Sequence, residues 1–423
     1  MPIGSLSRQR DFRLLLLGQT TAQLGAQLSG VAIPLLAVVT LDASPLQLGL
    51  VSASGTVAFA LIGLPAGAWL DRCRRRPVLV AADLVRAVLL ATIPVAASLG
   101  TLTVGHLIAV SLLAGVARVF FDVGYQSYLP SVVGRGGDLI AGNSAMETVR
   151  ACGQVAGPGV GGWAVSVLGA ANVVLAQAVT FAVSAVSLLA VRTREPAPAR
   201  EPAAVRGFGR GRGGLGREIG EGLAFVLRNP VLRALALTGA AGNLAFALAS
   251  AVSVVFLVRT LGLTPAGVGG VLAAGALAAL AGAALTPWLA RRAGSARIIW
   301  LSLAVTGPAG LLTPLAGPGW GVLLAVAGVA AGELGQIVYA ITSVSLRQRL
   351  CPEELLGRVN ATMRVLLMGL FPLGAVAGGA LGEVAGPRGT LWLAGVLVLV
   401  SPLPVARALR GLRDAADARP WSR

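Results

Sequence analysis

The stretch Gly67–Arg76 reads GAWLDRCRRR, four arginines within five residues and one aspartate, between the apolar runs Leu46–Leu70 and Pro77–Leu99. An arginine at the centre of a bilayer costs roughly 2.5–3.5 kcal/mol even on the lenient insertion scale, so these four cannot enter hydrocarbon. The stretch is therefore a short cationic loop joining two membrane spans. Positive loops stay on the cytoplasmic side, and the topology can be counted outward from this one.

Composition agrees with that beginning. The chain has 423 residues, 56% hydrophobic and 12% charged, with a mean hydropathy of +0.81. A water-soluble chain of this size could not hide so much apolar surface. The formal charge of +17 raises nucleic-acid binding. However, all 34 basic residues are arginines, and most lie in short loops between apolar runs rather than on one folded face. Loop bias accounts for them, and no nucleic-acid partner is expected. Cys73, Cys152 and Cys351 form no CxxC, which argues against a disulfide framework or a metal site. The first apolar run is longer than a signal-peptide core and reads as an uncleaved span.

Windows of about 20 apolar residues fall at Phe12–Val39, Leu46–Leu70, Pro77–Leu99, Val104–Tyr125, Leu139–Leu168 and Ala171–Val191. They resume at Val231–Val258, Pro265–Ala290, Ile298–Leu315, Gly319–Leu346, Leu355–Ala385 and Gly389–Ala406. Arginine-rich and arginine-poor loops alternate along this series, which places both termini in the cytoplasm. Between the two sets, Thr193–Arg217 is rich in Pro, Arg, Ala and Gly and cannot bury a core. Glu218–Asn229 reads as a short amphipathic helix carrying Ile219, Leu223 and Val226 on one side. The expected organisation is a six-helix bundle over residues 1–192, a cytoplasmic linker with its helix over 193–230, a second six-helix bundle over 231–410, and a cytoplasmic tail over 411–423.

The two sets repeat. At a shift of 217, Asn143, Met146, Gly157, Gly161 and Gly162 meet Asn360, Met363, Gly374, Gly378 and Gly379. At a shift of 220, Pro45, Gly49, Gly55 and Arg72 meet Pro265, Gly269, Gly275 and Arg292. Repeated halves of this kind form transporters with a binding cavity at the interface between them. The fold class is all-α membrane protein, twelve transmembrane helices in two pseudo-symmetric six-helix bundles.

The loop GAWLDRCRRR resembles the hallmark loop of the major facilitator superfamily, through Gly67, Asp71, Arg72, Arg75 and Arg76; the glycine usual between its basic positions is absent. The resemblance implies a latch in which Asp71 meets the start of span eleven and favours the outward-facing state. Near Arg291 and Arg292 the aspartate is missing, so one latch is expected. In span five GQVAGPGVGG is similar to the antiporter signature of that superfamily, with Gly153, Gly157, Pro158, Gly161 and Gly162 in register. Such a run makes a thin, kinked helix able to pack closely on a partner. The segments PEELLGRVN (Pro352–Asn360) and FVLRNP (Phe225–Pro230) resemble the branch that includes enterobactin and macrolide exporters.

Polar residues within spans need a partner or a cavity. Asn143, Glu147, Arg150 and Gln154 share a face of span five; Arg118 and Asp122 stand one turn apart in span four, with Gln126 above. Arg118 resembles the arginine that the superfamily ties to proton coupling, although the glutamine and glycine usual after it are missing. Glu333 in span ten and Arg364 in span eleven complete the proton-coupling candidates. Gln19, Gln23 and Gln27 form a stripe on span one, and Asn243 matches Gln23 in span seven; these are expected to face the cavity. Asp83 and Arg86 in span three read as a self-neutralising structural pair, and His106 as interfacial.

Together these features point to a monomeric transporter in the plasma membrane, driven by the proton gradient without another cofactor. It would export a small apolar or amphipathic molecule such as a drug, antibiotic or siderophore. There is no Walker A loop for ATP and no nucleophile–base set for an enzyme. A proton-symporting importer and a degenerate, non-transporting membrane sensor are the alternatives.

Overall fold

Ser44 and Gln47 open the second helix with a reciprocal cap: the Gln47 N–H donates to Ser44 Oγ (3.3 Å), and the Ser44 N–H donates to Gln47 Oε1 (2.9 Å). In the second half, 220 residues on, Thr264 Oγ1 accepts from the Gly267 N–H at 3.3 Å. Asn229 starts another helix, its Oδ1 accepting from the N–H groups of Val231 (2.9 Å) and Leu232 (3.1 Å), with Pro230 at the first helical position. Local chemistry thus sets where the apolar runs begin.

The computed structural model describes residues 9–70, 73–133, 137–193, 223–351 and 353–414. Among the described residues every regular element is helical. The long helices are α1 (Arg10–Leu35), α2 (Pro45–Leu70), α3 (Arg75–Ser98), α4 (Val104–Val133), α5 (Gly137–Leu168) and α6 (Ala170–Ala190). After the linker come α7 (Pro230–Val255), α8 (Pro265–Ala293), α9 (Arg297–Gly310), α10 (Val322–Leu350), α11 (Glu353–Val384) and α12 (Gly386–Val400). Short turns at Leu312–Leu315 and Leu403–Ala408 extend α9 and α12. Eleven of these spans are long and apolar enough to cross a membrane. The twelfth, α5, has 32 residues and carries the polar face that includes Glu147 and Arg150. Most of the linker, the first part of its amphipathic helix, Asp71, Arg72, Pro352 and the tail beyond residue 414 lie outside the described residues.

The chain divides into two compact units, Met1–Arg200 with Leu263–Ala273, and Glu201–Gly262 with Ala274–Arg423. Within the first, α1 packs on α5 and α6, and α3 on α4 and α6; within the second, α7 packs on α11 and α12, and α9 on α10 and α12. Val226, from the linker helix, is fully buried in the second unit's core beside Leu232, Leu346 and Val359. This helix is anchored by packing, beyond the surface association expected from its sequence.

The repeat extends to backbone detail. α1 ends in a π-helical turn at Leu36–Thr40, and α7 ends in one at Phe256–Thr260, again 220 residues apart. Each is followed by a residue with positive φ, Asp42 at 48° and Gly262 at 68°. Aspartate and glycine are among the residues that tolerate this region, so either can turn the chain into the next helix.

Candidate functional site

Glycines on α5 decide how closely its neighbours approach. Side chains of Gln23 and Gln27 on α1 lie against Gly153, where an added Cβ would stand 3.6 and 3.4 Å from their Cγ atoms, and Gln27 also fills the space beside Gly157. One turn further, a Cβ on Gly161 would stand 3.1 Å from the Leu28 carbonyl oxygen. The second unit repeats this seam: Gly374 faces Leu244 and Ala247 of α7, and Gly378 meets the Leu248 carbonyl. The glutamine stripe therefore lies partly along the α1–α5 seam, where the missing side chains of the glycines leave room for it. Gln19 is half-buried, and its Oε1 has no hydrogen-bond partner among the described residues.

The other side of the signature meets the opening turns of α8, which belong to the same compact unit. A Cβ on Gly162 would stand 2.6 Å from both Gly269 Cα and the Pro265 oxygen; one on Gly269 would stand 2.6 Å from the Pro158 oxygen. Here backbone touches backbone, an approach open only to residues without side chains.

The charged candidates differ in setting. Arg118 Nε donates to Asp122 Oδ2 at 3.4 Å, with side chains 68% and 44% exposed. Arg150 Nε donates to both Glu147 oxygens, at 3.0 and 3.1 Å, with side chains 55% and 64% exposed. Neither pair is enclosed by protein. Arg364 is likewise exposed. Glu333 is half-buried on α10, its Cγ 3.2 Å from where a Cβ on Gly275 of α8 would lie, and it has no hydrogen-bond or ion-pair partner among the described residues. Gln336, one turn along α10, lies beside Gly242 of α7. The sequence carries one signal for it: its spacing of three from Glu333 marks the same helix face. The Asn243 side chain, by contrast, donates to its own helix at the Gly239 carbonyl (3.1 Å).

Of the loop residues, Gly67 lies near the end of α2, and Arg75 and Arg76 open α3. Arg76 Nε donates to the Leu188 carbonyl at 2.9 Å, and its Nη2 to the Leu189 carbonyl. Those carbonyls belong to the last turn of α6, where the regular ladder runs out; Leu188 also accepts from the Val191 N–H at 3.3 Å. Arg76 thus ties the loop to the end of the first unit. His106 Nε2 pairs with Thr92 Oγ1 at 2.8 Å. No group of three His, Cys, Asp or Glu residues suited to a metal is found among the described residues.

Residues 15–371 match the family described as Major Facilitator Superfamily. The chain belongs to this superfamily. It is 31% identical over 391 residues to the multidrug efflux pump Tap of Mycolicibacterium fortuitum, covering 89% of this chain and 90% of that one. It is 28% identical over 412 residues to the multidrug efflux pump Tap of Mycobacterium tuberculosis (strain ATCC 25618 / H37Rv), covering 95% and 94%. Among solved structures, the nucleoside transporter NupG superposes with a TM-score of 0.69 at 14% identity, covering 95% of this chain and 99% of that one. A bacterial homologue of the iron transporter ferroportin in an inward-facing state gives 0.73 at 17% identity, covering 94% and 98%. At such identities these structures share the fold alone. As a major facilitator protein, the chain is a multi-pass membrane transporter and not an enzyme.

Proposed function

We propose that this transporter exports a small apolar or amphipathic molecule in exchange for protons. The observation that carries the reading is the α5 signature: Gly162 against Gly269, and Gly161 against the Leu28 carbonyl. Small-residue seams of this kind let one helix pack closely against two neighbours and part from either without pulling side chains out of a pocket. The matched pumps, named for multidrug efflux, favour export. In this reading the proton gradient is the driving force. The two six-helix bundles, 1–192 and 231–410, alternate around a shared cavity, joined by the cytoplasmic linker, with both termini in the cytoplasm and the chain working as a monomer in the plasma membrane.

Glu333 supplies a carboxyl without a counter-charge among the described residues, suited to reversible protonation. Gly67, Asp71, Arg72, Arg75 and Arg76 form the cytoplasmic latch, while Arg118, Asp122, Glu147, Arg150 and Arg364 supply charges that can exchange partners as the bundles move. Gln19, Gln23, Gln27 and Asn243 provide neutral hydrogen-bonding groups toward cargo. The experiment is transport of ethidium, a fluorescent lipophilic cation, in inverted vesicles with an imposed pH gradient. Ethidium should enter the vesicles while the gradient stands and stop when it is collapsed at constant membrane potential. Movement indifferent to the gradient overturns proton antiport.

A further inference from the structure

Asp83 and Arg86 stand three residues apart on α3, facing α4 and α6. Asp83 is fully buried and Arg86 is 7% exposed. Arg86 Nη2 donates to Asp83 Oδ1, while Asp83 Oδ2 and Arg86 Nε are within hydrogen-bond geometry of no group among the described residues. The guanidinium lies between two aromatic rings, 4.5 Å from the Phe121 centroid on α4 and 4.1 Å from that of Phe181 on α6. Arg118 and Asp122 of α4 are close enough to act on the pair electrostatically, and the Ser184 hydroxyl of α6 faces the carboxyl. α6 itself carries no charged residue, and Tyr125 of α4 is stacked on Phe121.

Removing two ions from water costs several kcal/mol each, and this is recovered only when geometry is good and the remaining polar atoms are satisfied. Here one oxygen and one nitrogen are left over, so the pair is under-compensated as a structural element. The two rings also hold the cation independently of Asp83, since cation–π attraction strengthens where water is excluded. Loss of the charge on Asp83 would therefore leave Arg86 seated, with Asp122 nearby as counter-charge.

We infer that Asp83 is a proton-binding site of the first unit, its free Oδ2 accepting a proton from water as the ion pair opens while Phe121 and Phe181 retain Arg86. The site deepens the antiport reading and rests on it for any link to cargo, by adding a proton site in the first unit to the one proposed at Glu333 in the second.

The test needs no substrate. Infrared difference spectra of the full chain in lipid, recorded between alkaline and acidic buffer, should contain the C=O band of a protonated carboxyl that D83N lacks and E333Q keeps. Should D83N fail to fold, D83N/R86Q removes both charges together and should also lack the band. A spectrum without a band assignable to Asp83, or one unchanged in both variants, overturns the site. Because the readout is independent of transport, that result leaves proton antiport through Glu333 standing, and a failure of antiport leaves the band standing.

Discussion

Glu333 packs against Gly275, whose added Cβ would stand 3.2 Å from Glu333 Cγ and 2.8 Å from Val329 Cγ1. In the first unit Gly55, the repeat counterpart of Gly275, faces Gly115 instead; a Cβ on Gly115 would lie 2.8 Å from the Gly55 oxygen. Backbone meets backbone in one half, and the other half makes room for an acid at the related seam. Glu333→Gln keeps the shape and removes the ionisation. It should flatten the pH dependence of transport while leaving the melting temperature near that of the parent. Initial rates across a pH series decide this, and a profile like the parent's clears Glu333.

Crowding the same seam makes a separate prediction. Gly275→Ala should cost about 1–3 kcal/mol, the usual range for overpacking, because its new methyl meets Val329 and Glu333. Gly55→Ala is the control, since a Cβ there meets nothing within 4 Å. Thermal unfolding in detergent should separate the two; equal melting temperatures would mean that α8 and α10 part easily.

The α5 signature is tested by Gly162→Ala. The added methyl would collide with Gly269 Cα and the Pro265 oxygen, both main-chain atoms unable to rotate away. Transport should fall sharply while the protein still folds, since α5 keeps its separate packing on α1. Gly270→Ala, with open space around it, should behave like the parent. Transport and melting measured on both variants give the answer, and normal transport by Gly162→Ala removes this contact from the mechanism.

Much of the helical fold is legible in the sequence because hydrophobic length answers to the bilayer directly. The span edges follow Pro45, Pro265 and Asn229, residues with local reasons to start a helix. What the sequence did not reveal depends on hydrogen bonds between distant segments. Nothing in LAVVT or FLVRT marks a π turn, and only their shared place in the repeat relates them. Arg76 belongs to the hallmark-like loop in the sequence, which gives no sign that it also bonds the end of α6, more than a hundred residues away. A helical wheel shows that the glutamines of α1 share a face, but not that Gly153 and Gly157 on α5 leave room for the side chains of Gln23 and Gln27.

The loop makes two predictions that differ in their effect on stability. Asp71→Asn removes the acid on which the latch depends, so transport should fall with membrane insertion intact; unchanged transport would discard the latch. Arg76→Gln, a change in the same latch, should lower stability as well as transport, by about 1–2 kcal/mol, since it also gives up charge-assisted bonds to two α6 carbonyls in a half-exposed setting. Transport assays and melting curves run on the same preparations distinguish a change in mechanism from a loose helix end.

At the other end of the chain, Asp414 fixes the connection between α8 and α9. Its Oδ1 accepts from the Ser295 N–H at 2.9 Å and from Ser295 Oγ at 3.2 Å, while the Arg413 carbonyl accepts from the N–H groups of Ala296 (3.1 Å) and Arg297 (3.3 Å). Gly294 makes this possible: its φ is +94°, and a side chain there would overlap the Arg413 carbonyl. The Ser295 backbone bond, with help from the hydroxyl and from Arg413, holds the Asp414 carboxyl below the ordinary value of 3.8. A carboxylate depressed in the folded state stabilises it above the unfolded pKa, and that contribution disappears as pH falls through the lower folded value. Asp414→Asn should therefore melt below the parent at neutral pH, and the gap should close in buffers well below pH 3.8. Gly294→Ala should destabilise at every pH, because its fault is steric. Paired melting curves for the two variants separate the effects, and a gap that persists for Asp414→Asn in acid would show that the carboxylate charge is not what holds the chain end in place.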